Sequence, residues 1–213
     1  MNIFFTLPYI KGVFFLLFIC SFIAPISYAS DKNTLKAVEL VKRLQAGGHI
    51  LYVRHAATDH SQQDKDLRDL SNCSLQRNLS QQGKDESRVL GESLKTLNIK
   101  IGGVYTSPYC RCVDTAKIAF GRYEIVHDMR ASFATDLKES THLVSVLKDQ
   151  LSKAPKQGLN TVLVGHTANL RELTRVWPKP EGVAHIFSPM GKGKYKHLGH
   201  ITPKQWAPLA EIK

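Results

Sequence analysis

The chain has 213 residues, 43% of them hydrophobic and 22% charged, a size and balance that suit one folded domain rather than several. Its 29 Lys and Arg against 18 Asp and Glu leave a formal net charge of +11, which favours anionic partners: phosphorylated metabolites, nucleic acid or anionic lipid. The basic residues are scattered, with only a mild cluster at Lys192, Lys194 and Lys196, and form no stripe interleaved with aromatics; no nucleic-acid partner is expected.

Residues 1–29 read as a secretory signal peptide. Lys11 is the sole charge there, Val13 to Ile26 is almost wholly apolar, and Ser27-Tyr28-Ala29 has the small-x-small form of a cleavage site. The apolar stretch contains Pro25 and falls short of the ~18 residues a membrane span needs. The expectation is cleavage before Ser30, no stable membrane insertion afterwards, and a domain over 30–213 that is periplasmic or secreted.

Thr34 to Ala46 carries Ala37, Leu40, Val41 and Leu44 at helical spacing, and Gly47-Gly48 ends the pattern. His49 to Arg54 reads as a buried strand. Ala56 to Leu79 is a long polar segment, and loops of that length in a compact domain are usually functional. Ser80 is placed to cap a helix running to Leu97. A strand over Gly102 to Ser107 follows, with Pro108 in the first turn of a helix reaching Phe120. Glu124 to Val126 suits a short strand, Asp128 to Thr135 a loop, and Asp136 to Ser152 a helix. The strand Thr161 to Val164 leads into a helix over Thr167 to Val176. Two late strands, Val183 to Ser188 and Tyr195 to Ile201, flank a Gly-Lys-Gly turn, and Pro203 to Ala210 suits a terminal helix. Strands alternating with helices predict a three-layer α/β/α fold around a mostly parallel sheet.

Two of these strands end in histidine: Tyr52-Val53-Arg54-His55 and Val162-Leu163-Val164-Gly165-His166. Between them, Thr106-Ser107-Pro108 leads into a helix with Arg111 in its first turn and Thr115-Ala116 beyond. Ligands of open α/β sheets bind at the C-terminal ends of the strands, so these residues converge there. Guanidinium forks match phosphate oxygens and stay charged, which makes Arg54 and Arg111 candidates to hold a phosphoryl group.

In order, spacing and strand context, Arg54-His55-Ala56 with Thr58, Thr106 through Ala116, and Gly165-His166 resemble the three signatures of the histidine phosphatase superfamily. The branch concerned contains phosphoglycerate mutases and small phosphohistidine phosphatases. The resemblance implies a phosphoglycerate mutase-like fold and a metal-independent phosphoric monoester hydrolase without cofactor. It makes His55 the nucleophile that forms a phosphohistidine, and His166 a donor to the phosphoryl oxygens. Arg54, Thr58, Arg111 and His166 would bind substrate. Ala56 replaces the usual glycine. The Asp128 to Asp136 loop lacks the glutamate that many members use as general acid, and Asp136 is taken as its substitute. That absence argues against mutase activity and leaves an alternative: a catalytically weak phosphate-binding member acting as an envelope-binding module.

Once a leader is removed, Cys73, Cys110 and Cys112 remain. One bridge is expected, from Cys73 to either of the others. A Cys-x-Cys pair without a second pair lacks the spacing of a zinc site, so no metal is expected.

Overall fold

The computed structural model describes residues 32–212, together with Met1. The expected signal peptide therefore lies outside the described residues. Among those described, six helices surround a six-stranded sheet of order β3-β2-β4-β1-β5-β6. The elements are α1 (Lys32–Ala46), β1 (Ile50–Arg54), α2 (Gln81–Thr96), β2 (Ile101–Thr106), α3 (Cys110–Phe120), β3 (Glu124–Ile125), α4 (Leu137–Ser152), β4 (Asn160–Gly165), α5 (Thr167–Thr174), β5 (Ala184–Gly191), β6 (Lys194–Ile201) and α6 (Pro203–Glu211). Strands β3, β2, β4 and β1 run parallel, and the β5–β6 hairpin is antiparallel beside β1. This is the three-layer, largely parallel α/β fold that the alternating pattern predicts. No helix among the described residues is long and apolar enough to cross a membrane.

Alternation along the strands builds two cores. Leu51, Val53, Val162 and Val164 face α1, α2, α3 and α6, where Leu44, Leu94, Ala116 and Trp206 are buried. Ile50, Tyr52 and Leu163 point the other way, against Leu147, Leu151 and Leu170 of α4 and α5. Period-two side chains on a sheet covered on both faces explain why these strands read as continuous apolar runs. In register, Val53 lies opposite Val164 and Arg54 opposite Gly165, so the two histidines leave neighbouring strands at the same level.

Three boundaries depart from the sequence expectation. Pro108 does not open α3; Tyr109 is the extended N-cap residue and the helix starts at Cys110. Helix α5 stops at Thr174, because Arg175 adopts φ +62 and its N–H closes back on Arg171 O. The late strands extend to Gly191 and Lys194, leaving a two-residue turn with Lys192 and Gly193 at φ +50 and +69. Positive φ at both central residues matches the twist of a tight hairpin.

Candidate active site

His55 follows the last residue of β1, and its backbone N–H donates to Gly165 O at 3.0 Å. Its Nδ1 lies 3.0 Å from Ala56 O. A carbonyl only accepts, so Nδ1 carries the proton and Nε2 keeps its lone pair. Burial, and then the Arg111 charge, push the His55 pKa well below the usual 6.5, which keeps the ring neutral.

His166 follows β4 and stands at the N-cap position of α5. Its backbone carbonyl accepts the Tyr52 hydroxyl at 2.7 Å. A side chain at Gly165 would collide with that hydroxyl, so the glycine is what allows the close approach. His166 Nε2 lies 2.8 Å from Ser107 Oγ, and the ring packs edge-on against Tyr109 at 4.7 Å. Ser107 Oγ also accepts the Tyr109 N–H at 3.4 Å, which holds the hydroxyl beside the His166 ring. Burial first, then Arg111, also lower the His166 pKa well below 6.5. The two histidine rings lie 5.8 Å apart, a gap on the scale of one tetrahedral phosphoryl group.

Arg111, in the first turn of α3, has a side chain only 2% exposed. It donates to Asp64 from Nη1 at 3.0 Å and stacks over Tyr109 with Cζ 4.5 Å from the ring centre. Arg54 donates to Glu181 Oε1 at 2.9 Å and to Pro178 O at 3.1 Å. Arg54, His55, Arg111 and His166 line one cavity of about 300 Å³ with Asp64, Arg77 and Arg171. The structure thus brings together all four residues that the strand ends and the α3 start singled out.

Two other expected site residues are elsewhere. Asp136 is the N-cap of α4: its carboxylate accepts the Glu139 N–H at 2.9 Å, and it does not line the cavity. A short acidic side chain at a helix start is used up by the helix's own free N–H groups. Thr58 is buried, but its N–H and hydroxyl both go to Glu181, and it lines a neighbouring cleft of about 1000 Å³. The one-residue bridge between Thr58 and Leu79 fixes that direction.

Asp64, Arg77 and Glu181 were not picked out from the sequence. The first two come from the long polar segment before α2, which is tied down in three ways. Cys73 is disulfide-bonded to Cys110, with their Cα atoms 5.7 Å apart. Gln76 accepts the Cys110 N–H at 3.0 Å. Asp64 accepts the Arg77 N–H at 2.9 Å. Cys112 stays a free, buried thiol, and burial pushes its pKa up to about 12. The segment's length was the only signal that it carries site residues.

Residues 50–140 match the family model described as histidine phosphatase superfamily, branch 1. No curated protein matches the chain. Among solved structures, it is similar to the protein histidine phosphatase SixA complexed with tungstate, at 16% identity and TM-score 0.50, over 73% of this chain and 97% of that one. It is also similar to a candidate alpha-ribazole-5'-P phosphatase from Escherichia coli, at 12% identity and TM-score 0.52, over 71% and 94%. TTHB049 from Thermus thermophilus aligns at 14% identity and TM-score 0.51, over 72% and 99%. At these identities the likeness is one of fold, while the matched model covers the first two signatures, Arg54-His55 and Thr106 to Ala116. Over residues 50–140 the chain is thus similar to the histidine phosphatase superfamily, branch 1.

Proposed function

We propose that this chain hydrolyses small phosphorylated substrates, phosphomonoesters or phosphohistidine, through a phosphohistidine on His55. The observation that carries this reading is the state of His55: buried, neutral, and held by Ala56 O with Nε2 unprotonated beside an arginine-lined cavity. Nε2 attacks phosphorus in line and the leaving group departs. Arg54 and Arg111 hold the phosphoryl oxygens, and the His166 ring donates to them as charge builds. Water then hydrolyses the phosphohistidine and restores His55. Charge neutralisation rests on fixed arginines, which supports a reaction without metal.

Among the described residues, the carboxylate lining this cavity is Asp64, and it is ion-paired with Arg111. Its oxygens already accept from the Arg111 guanidinium and the Arg77 N–H, an arrangement that favours leaving groups needing no donated proton. Export to an oxidising compartment, with the domain over 30–213, is part of the proposal. The apolar stretch ending in Ser27-Tyr28-Ala29 and the Cys73–Cys110 bridge support it.

The test is turnover of an activated aryl phosphate, with acid quench to capture phosphoprotein. The expected result is release of phosphate, an acid-labile phosphoryl group on the wild type, and loss of both in His55→Ala. Wild-type protein that binds inorganic phosphate without turnover would replace this reading with the binding module.

A further inference from the structure

Three of the four arginines around the cavity already face carboxylates. Arg54 and Arg77 lie 2.9 and 3.9 Å from Glu181, and Arg111 lies 3.0 Å from Asp64. Arg171 is different. It sits on α5 one turn after Thr167, lines the same cavity, and has no carboxylate within ion-pair reach among the described residues. Its Cζ lies 4.7 Å from the ring centre of Trp177, and Lys179 Nζ lies 5.1 Å from the same centre. Trp177 also lines the cavity, although it is 49% exposed. Lys179 forms no ion pair among the described residues either, and it lines the adjoining cleft of about 1000 Å³.

The segment that carries this indole and lysine is held at both ends. Arg54 donates to Pro178 O at 3.1 Å, Glu181 accepts from Arg54 and Thr58, and the Gly182 N–H donates to His55 O at 2.9 Å. Two cations without an ion pair among the described residues therefore stack on one aromatic ring beside the phosphoryl pocket. Stacking on an indole pre-orders a guanidinium without neutralising it, so its donors remain available to a ligand.

We infer that Arg171 and Lys179, spaced by Trp177, form a second anion subsite, so that the preferred substrate carries another anionic group besides the scissile phosphoryl. This rests on the phosphatase reading above. The four-arginine lining supports it: phosphoryl oxygens held between His55, His166, Arg54 and Arg111 leave the Arg171 charge unused. A carboxylate or a second phosphate on the leaving group would meet it at the mouth.

Three probes test this: phenyl phosphate, 4-carboxyphenyl phosphate and 1,4-phenylene bisphosphate. The readout is the ratio of kcat/KM for each probe with a second anion to that for phenyl phosphate, compared between wild type and an Arg171→Gln, Lys179→Gln double variant. Dividing by the wild-type ratio cancels intrinsic leaving-group differences. Loss of two partly exposed charge contacts should lower the ratio about tenfold, mainly through KM. Whether the carboxylate or the bisphosphate probe loses more identifies the preferred anion. An unchanged ratio for both would overturn the subsite, as would an equal fall for all three probes. The same comparison by calorimetric binding to His55→Ala protein needs no turnover. A persistent preference there with an inactive wild type would sink the phosphatase reading and keep the subsite.

Discussion

Asp136 shows how one residue type serves two readings. Its position at the start of a helix after a pocket-side loop suits either an acid or a cap, and the structure shows the cap, accepting the Glu139 N–H. Asn caps as well as Asp, so Asp136→Asn should leave the melting temperature and aryl phosphate turnover within error of wild type. Asp136→Ala should cost about 1 kcal/mol of stability, read by chemical denaturation, without a fall in kcat. Arg54, His55, Arg111 and His166 were legible because each sits where a periodic element ends or begins, and the element's pattern fixes its place. Asp64, Arg77, Glu181 and Arg171 were not. The first three lie in irregular chain, where contact depends on how a loop is folded back. Arg171 reads in sequence as one more solvated helix residue.

At the scale of elements, the polar segment before α2 depends on a single covalent tie. The Cys73–Cys110 bridge spans a sequence separation of 37 and ends at the residue before Arg111. Closing a loop of that size is worth roughly 3–4 kcal/mol through the unfolded chain. Cys73→Ser should therefore melt earlier than the oxidised wild type. It should also raise KM for an aryl phosphate, because Asp64 and Arg77 ride on the freed segment; melts with and without reductant and Michaelis curves check both. The β5–β6 hairpin makes a separate pH prediction. His185 is buried with Nδ1 3.0 Å from His197 Nε2, and His200 packs 5.2 Å away. Burial, then these two neighbours, lower its pKa from 6.5 to about 3. Between those values the unfolded chain binds a proton that the folded hairpin refuses. His185 thus contributes no penalty above about pH 6.5, and stability drains as pH falls toward about 3. His185→Asn should flatten that part of the stability–pH curve by up to one proton's equivalent, measured by denaturation across the range.

Across the whole molecule, the order of elements was legible because alternating strands and helices leave few topologies. Two late strands joined by a short Gly-rich turn were legible too, whereas their antiparallel place beside β1 was not. What the pattern could not supply was the sheet order, which is decided by partners distant in the chain. The net charge of +11 adds a kinetic expectation. Attraction of a phosphorylated substrate is screened by salt, so kcat/KM should fall several-fold from low ionic strength to half-molar salt while kcat changes little. Steady-state rates across a salt series measure this. The order β3-β2-β4-β1-β5-β6 also has a consequence for synthesis. Strand β1 is made early, yet its two neighbours are β4 and β5; β2 likewise waits for β4, while its other neighbour, β3, spans only two residues. A growing chain therefore carries bare, apolar strand edges through most of its translation. Strands β2 and β1 are joined only when β4 emerges to lie between them, the two histidines first meet at that moment, and the β5–β6 hairpin covers the other edge of β1 later still.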